Sequence, residues 1–295
     1  MTTMTTMTDQ PYATRAGRPT LARIYRSTST PRKGAPVVVD VHGGAWSGGD
    51  RSMGELYDRA LAERGFLVVA IDFRQAPDFQ HPAGSADVTR AVRWIRDSAD
   101  LLGADPSRIG LVGSSSGGHL ALLAACRPDE SEHVQADPGE VWHQDAQPTS
   151  ASVSCVAALW PPVDPLARYR FALGRLDSGP PELGERYAAL VKGSLSYFGS
   201  EPVMHGASIP RIVEAGEARA LPPLWICYPT EDTNVPRSIV EHLRDAWASA
   251  GAPVEMTVYE GQHHGFGHQP GSATDDFIEN LNLFFVRHLG PVRAG

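Results

Sequence analysis

Short apolar runs alternate with amphipathic stretches along most of this chain. The apolar runs cover residues 21–25, 36–41, 66–71, 109–112, 153–159, 223–228 and 254–259. Several are apolar almost throughout, which is typical of strands that are buried on both faces of a parallel sheet. Apolar residues recur at helical spacing in 52–64, 87–102, 237–250 and 275–288. This alternation predicts an α/β fold with a mostly parallel sheet and helices on both faces.

Two segments interrupt the alternation. Residues 127–150 are polar and acidic, and residues 161–222 are rich in proline and glycine with only patchy helical signals. Loops of this length in compact domains are usually lids or insertions. We therefore expect a core formed by residues 21–160 and 223–295, with residues 161–222 as a cap over the substrate site. Residues 1–20 lack a basic start and an apolar centre, so we expect a flexible tail rather than a signal peptide.

Composition excludes several classes of protein. The chain has 295 residues and a net charge of −8, which argues against nucleic acid or an anionic membrane as partner. No apolar run approaches the length of a membrane span. The three cysteines are sparse and odd in number, and Cys155 and Cys227 lie in strand-like runs, so we expect buried free thiols and a reducing, cytoplasmic compartment. The sequence leaves the oligomeric state open, with a homodimer among the alternatives.

The strongest chemical signal is a serine between two glycines. The run at 109–112 leads into Gly113-x-Ser115-x-Gly117, and an alanine- and leucine-rich helical stretch follows. A serine at such a sharp strand-to-helix turn presents its hydroxyl to substrate and to a base, while small neighbours allow the close backbone approach. Three fixed positions alone are weak evidence, and an ordinary glycine-rich turn is the alternative.

Partners for this serine follow in the order acid, then histidine. Glu231 and Asp232 come after the run at 223–228, and His263 and His264 come after the run at 254–259. A serine hydroxyl needs a base that removes its proton and a third group that orients the base. These histidines, together with His268, are also an alternative metal site, but no matching cysteine or carboxylate set stands nearby.

A small-residue loop upstream supplies the remaining component. His42-Gly-Gly-Ala-Trp46 follows the run at 36–41, and its backbone N–H groups are suited to a developing oxyanion. The amide after the serine would complement them. Other polar and aromatic candidates are expected to be structural or to line the pocket: His42, His119, Asp87, Asp164, Trp46 and Trp160.

Together, His42-Gly-Gly-Ala-Trp46, the serine turn, Asp232-x-x-Val235-Pro236 and His264-Gly-Phe266 resemble the α/β-hydrolase esterases. The most similar groups are those related to hormone-sensitive lipase and the small carboxylesterases and arylformamidases. The resemblance spans roughly residues 20–290. It implies an α/β-hydrolase fold with a cap insertion.

The resemblance also implies the site residues. Ser115 would be the nucleophile, His264 the general base and acid, and Asp232 the orienting acid. Gly44, Ala45 and Ser116 would donate to the oxyanion. Ala45 stands where many relatives carry a third glycine, so the acyl pocket is expected to differ in shape. The Asp-x-x-Val-Pro spacing favours Asp232 over Glu231, and His263 stays as the alternative to His264.

The sequence thus predicts a serine carboxylesterase for small to medium esters, working through an acyl-enzyme without cofactor or metal. Its expected partner is a small-molecule ester. An arylformamidase or other amidase would use the same triad. A hydrolase fold that binds a ligand without catalysis is the third hypothesis, although such proteins usually lack a triad member.

Overall fold

The structure is a computed structural model of the chain, and it describes residues 4–15, 18–131, 133 and 149–291. In this part, eight strands form one sheet: β1 (Thr5–Arg15), β2 (Arg18–Ser27), β3 (Ala35–Val41), β4 (Leu67–Ile71), β5 (Ala104–Ser114), β6 (Cys155–Leu159), β7 (Leu224–Pro229) and β8 (Val254–Tyr259). Their order is β1-β2-β4-β3-β5-β6-β7-β8. Neighbours from β4 to β8 are parallel, while β1 and β2 pair antiparallel to each other, as do β2 and β4.

The described helices are α1 (Glu55–Glu63), α2 (Ala83–Asp97), α3 (Ala99–Leu102), α4 (Ser116–Cys126), α5 (Pro165–Ser178), α6 (Gly184–Phe198), α7 (Glu201–Gly206), α8 (Ile209–Glu214), α9 (Arg237–Ser249) and α10 (Ser272–Leu289). In the described ranges, every helix is too short or too polar to cross a bilayer.

Helices cover both faces of the sheet because its central strands are apolar on both sides. Along β3, Val37 and Val39 belong to the core shared with α2, α4 and α9, while Val38 belongs to the core shared with α1 and α10. All residues of β3 are buried. This alternation is the period-two geometry of a strand between two apolar layers. The predicted α/β architecture is confirmed.

The amino-terminal residues differ from the expected flexible tail at 1–20. Thr5–Arg15 pairs with Arg18–Ser27 as the outer strand of the sheet. Tyr12 is buried and its hydroxyl donates to the carbonyl of Asp72 at 2.6 Å, and Asp9 forms ion pairs with Arg23 and Arg51. Backbone pairing, the hydrogen bond of Tyr12 and the ion pairs of Asp9 hold this segment as a strand. Its polar composition lacks the apolar run by which a strand is predicted.

The segment expected to be a cap contains more regular structure than its composition indicates. Between β6 and β7 the chain forms α5, α6, α7 and α8, and Phe171 on α5 packs edge-on against Tyr187 on α6. The polar excursion at 127–150 lies mostly outside the described residues. Cys126, Cys155 and Cys227 are buried free thiols.

A buried carboxylate on α1 is expected to reduce stability at alkaline pH. Both side-chain oxygens of Asp58 lack a hydrogen-bond partner in the described part of the chain, and burial, with the nearby charge of Asp40, raises its pKa well above the usual value. The folded state therefore holds a proton that the unfolded chain releases above about pH 4. The contribution of this proton to the free energy of unfolding is fully present below that pH. It is lost as the pH rises toward the raised pKa of the folded state.

Asp58→Asn is accordingly expected to raise the free energy of unfolding at pH 8 by more than about 1 kcal/mol, with a much smaller change at pH 4.5. Urea unfolding at the two pH values measures the difference. Glu63→Gln, at an exposed position of the same helix, serves as the control. An equal effect at both pH values would show that Asp58 does not hold a proton in the folded protein.

Candidate active site

A strained turn between β5 and α4 holds Ser115. Its backbone angles are φ 50° and ψ −122°, which a residue other than glycine rarely adopts. The flanking glycines permit the turn: a Cβ on Gly113 would lie 2.4 Å from the carbonyl oxygen of Gly117, and one on Gly117 would lie 2.0 Å from that of Val41. Both contacts are too close for any side chain, so the turn requires glycine at these positions.

Ser115, His264 and Asp232 form a continuous hydrogen-bonded chain. The hydroxyl of Ser115 lies 2.9 Å from Nε2 of His264, and Nδ1 of His264 lies 2.8 Å from Oδ2 of Asp232. With Nδ1–H donating to the carboxylate, Nε2 is free to accept the serine proton. The three residues follow β5, β7 and β8, whose carboxyl ends meet at one edge of the sheet.

Backbone groups fix the carboxylate of Asp232. Its side chain is fully buried, and Oδ1 accepts the amides of Asn234 at 2.8 Å and Val235 at 3.0 Å. This geometry explains the spacing from Asp232 to Val235, since the carboxylate accepts the backbone amide of the third residue after it. The alternatives Glu231 and His263 are exposed, so among the weighed candidates the structure brings together Asp232 and His264.

The loop after β3 packs directly against the serine turn. A Cβ on Gly43 would lie 3.3 Å from the Cβ of Ser115, which places the loop in contact with the serine. Gly44 and Ala45 line the same cavity as Ser115 and His264. Ser116 is buried at the first position of α4, where an amide has no acceptor within the helix.

Backbone strain surrounds this cavity. The described residues other than glycine with positive φ are Ala45 (52°), Trp46 (60°), Ser115 (50°) and Trp160 (41°). Each such residue costs on the order of 1–3 kcal/mol. Strain of this kind persists only where the surrounding structure imposes it, so the four angles mark a site whose geometry is held by its packing.

Helices α5 and α6 pack against the loop after β3. Trp46 is buried, and its ring stacks on Tyr197 of α6 with centroids 5.9 Å apart and an interplanar angle of 6°. The guanidinium of Arg168 on α5 lies 5.4 Å from the same ring. Gly193 of α6 comes so close to Ala45 that an added Cβ would be 3.3 Å from its carbonyl oxygen. The positions of α5 and α6 and the shape of the loop are therefore coupled through Trp46 and Ala45.

The cavity beside Ser115 has a volume of about 270 Å³. Several of its lining residues were not anticipated from the sequence: Met53, Arg168, Leu190, Asn234 and His268. Most of these lie on α5 and α6 or in loops. Whether such a residue lines the cavity depends on tertiary packing, which a local sequence pattern does not show. Asn234 had a local signal, because it lies within the Asp232-x-x-Val235 turn.

The remaining candidates have structural contacts. His119 is buried and its Nε2 donates to the carbonyl of Ala207 at 2.9 Å, while burial lowers its pKa to about 4. His42 stacks on Phe73, and its Nδ1 donates to the carbonyl of Gly43. Asp87 pairs with Arg74.

Asp164 caps α5 by accepting the amide of Ala167. Trp160 lines the cavity and packs against the ring of His264. Within the described ranges, no three histidine, cysteine or acidic side chains are grouped to hold a metal ion.

A mostly parallel sheet with a serine turn after β5, an acid after β7 and a histidine after β8 defines the α/β-hydrolase fold. The BD-FAE family model matches residues 23–177, just over half of the chain. The chain belongs to this family. Residues 183–280 also match the dienelactone hydrolase family model.

Curated relatives are esterases by name. Esterase LipC of Mycobacterium tuberculosis is 28% identical over 272 residues, which cover 90% of this chain and 61% of LipC. A probable isoprenylcysteine alpha-carbonyl methylesterase of rice is 27% identical over 79% of this chain and 52% of its own length. Carboxylesterase NlhH of M. tuberculosis is 42% identical over 95 residues, 32% of this chain and 30% of NlhH. The chain thus spans about three fifths of LipC and about half of the rice relative.

Solved structures share the fold over nearly the whole chain. Thermogutta terrifontis esterase 2 phosphonylated by sarin superposes with a TM-score of 0.75 and 24% identity, covering 98% of this chain and 97% of that one. The propionate-bound form gives a TM-score of 0.72 and 23% identity, with 98% and 96% covered.

Proposed function

We propose that this protein is a serine carboxylesterase that hydrolyses small carboxylic esters through an acyl-enzyme. The observation that carries the proposal is the hydrogen-bonded chain from Ser115 Oγ through His264 to the buried carboxylate of Asp232. Esterase names among the relatives support it.

The first half-reaction forms the acyl-enzyme. Nε2 of His264 takes the proton of Ser115 as Oγ attacks the ester carbonyl, and Asp232 stabilises the resulting imidazolium. The tetrahedral oxyanion accepts hydrogen bonds from the amides of Gly44, Ala45 and Ser116, each contributing about 3–4 kcal/mol to the transition state. As the intermediate collapses, the alkoxide leaves with the proton from Nε2, and the acyl group stays on Oγ.

The second half-reaction releases the acid. A water molecule gives its proton to Nε2 of His264 and attacks the acyl carbonyl. The second tetrahedral intermediate collapses, Ser115 Oγ recovers the proton, and the carboxylic acid departs. Residues 161–222 would act as the cap that limits the acyl pocket.

Substrate size follows from the cavity. Ligand pockets usually measure roughly 300–1,000 Å³, and this cavity of about 270 Å³ lies below that range. We expect turnover of p-nitrophenyl acetate and butyrate to exceed that of the octanoate and decanoate esters.

A panel of these esters and of N-formyl aryl amides, assayed on purified protein with Ser115→Ala as background, tests the reaction class. Turnover of the formyl amides without ester turnover would replace the esterase by an arylformamidase. Failure to hydrolyse either would point to a non-catalytic ligand-binding protein.

The three buried free thiols support the prediction of a cytoplasmic protein. The oligomeric state stays open, with a homodimer among the alternatives, and light scattering on the purified protein can decide it.

A further inference from the structure

A buried arginine borders the proposed catalytic cavity. Arg168 on α5 is 2% exposed, and it lines the cavity together with Ser115, His264 and Asn234. Burial lowers the pKa of its guanidinium to about 10, partly opposed by the charge of Asp232, so the group is still cationic at neutral pH.

The protein leaves this cation largely unpaired. Within the described ranges its one side-chain hydrogen bond is a long contact of 3.4 Å from a terminal nitrogen to the hydroxyl of Ser194, and Nε has no partner. The charge of Asp232 acts on the guanidinium, but its carboxylate already accepts hydrogen bonds from His264 and two backbone amides. The ring of Trp46 stabilises one face of the guanidinium but accepts none of its five N–H groups.

A second polar group in the cavity is also unsatisfied. Oδ1 of Asn234 is buried without a hydrogen-bond partner in the described part of the chain. The two ends of an amide are assigned from their hydrogen bonds, and with the two ends exchanged the unpartnered atom is a nitrogen that can donate.

We propose that Arg168, assisted by Asn234, binds a carboxylate group carried by the ester substrate, so that the preferred substrates are small esters with a free carboxylate. This inference rests on the proposed esterase function and specifies its substrate class. Buried charges are normally paired, because leaving one unpaired in a desolvated site is costly. A planar guanidinium matches the two oxygens of a carboxylate. Its place beside Ser115 would orient the scissile carbonyl toward the nucleophile.

Binding is measured first, without turnover. In the Ser115→Ala protein, titration calorimetry is expected to show that monoethyl succinate binds about tenfold or more tightly than ethyl butyrate, which has a methyl group in place of the carboxylate. Acetoxyacetate and ethyl acetate form a second pair, matched in the same way, with the carboxylate on the alcohol side. Preference for the charged member of one pair identifies the side that carries the carboxylate, and preference in neither overturns the proposal.

Two variants of α5 assign the preference to Arg168. Arg168→Met keeps an extended side chain over Trp46 and is expected to reduce the charged-to-neutral affinity ratio about tenfold. Arg170, two residues after Arg168 on α5, is exposed and pairs with Glu201. Arg170→Met is therefore the control and should preserve the charged-to-neutral affinity ratio. A ratio unchanged by Arg168→Met contradicts the proposal. If that variant does not fold, Arg168→Lys, which keeps the charge without the planar fork, is expected to lower the ratio several-fold, and no change contradicts the proposal equally.

Turnover of the same esters, measured as release of the alcohol, distinguishes failure of the proposed esterase activity from failure of the proposed role of Arg168. Hydrolysis of ethyl butyrate without preference for a charged ester would support the esterase activity and refute the role of Arg168. Binding of the charged esters that depends on Arg168, without hydrolysis of any ester, would support the role of Arg168 and refute the esterase activity. If Arg168 acted only by positioning Asp232 and His264, Arg168→Met would lower kcat equally for charged and neutral esters and shift the pH profile of kcat.

Discussion

Replacing Ser115 with alanine is expected to lower kcat by about 10⁴-fold or more, because it removes the hydroxyl that is hydrogen-bonded to Nε2 of His264. Alanine and serine both carry a Cβ, so the substitution leaves the strain of the turn nearly unchanged. The fold and the cavity should therefore be retained. Ester hydrolysis by the purified variant, with its thermal melting curve, measures both effects.

Covalent labelling provides the accompanying control. A fluorophosphonate should modify the wild-type protein at the peptide that contains Ser115, and Ser115→Ala should not be labelled. Ser178→Ala, at an exposed serine near the end of α5, should keep both labelling and turnover. Turnover of Ser115→Ala above about one hundredth of the wild-type rate would mean that another residue is the nucleophile.

Replacing Asp232 with asparagine is expected to lower kcat by about 10⁴-fold while leaving the site nearly intact. Two backbone amides donate to Oδ1, so the asparagine must keep its oxygen there and turn its NH₂ toward His264. The ring then accepts at Nδ1 and carries its proton on Nε2. In that tautomer Nε2 is not able to take the proton of Ser115.

Glu231→Gln is the matched control, since it makes the same chemical change at the exposed neighbouring acid. It should keep kcat within about twofold, as surface substitutions usually do. A large loss of kcat in Glu231→Gln together with near-normal turnover in Asp232→Asn would show that Glu231, and not Asp232, is the acid that orients His264. Steady-state kinetics of both variants on p-nitrophenyl butyrate decides between them.

The serine turn could be predicted because its requirements are local. Gly113 and Gly117 are fixed by backbone contacts that hold for any strand-to-helix turn of this kind. The choice between Glu231 and Asp232 depended on a spacing pattern, and its physical reason, two amides donated to one carboxylate oxygen, became visible only in the structure.

Other features depend on long-range packing. The strand Thr5–Arg15 is polar because it lies at the edge of the sheet, so its sequence lacks the apolar run that marks the inner strands. Helices α5 and α6 pack on each other as well as on the loop after β3, so their apolar residues do not follow a single helical face. Arg168 is an ordinary residue of such a helix, and only the docking of α5 places it beside Ser115.

The left-handed backbone at Ser115 affects how this chain would respond to laboratory evolution. Glycine at that position relieves the strain but removes the hydroxyl, so a library screened for heat tolerance alone would gain stability there and lose turnover. Ala45 is different, because glycine would keep the backbone amide that we propose as an oxyanion donor. A thermostabilising campaign on this protein should therefore hold position 115 fixed and treat position 45 as open to change.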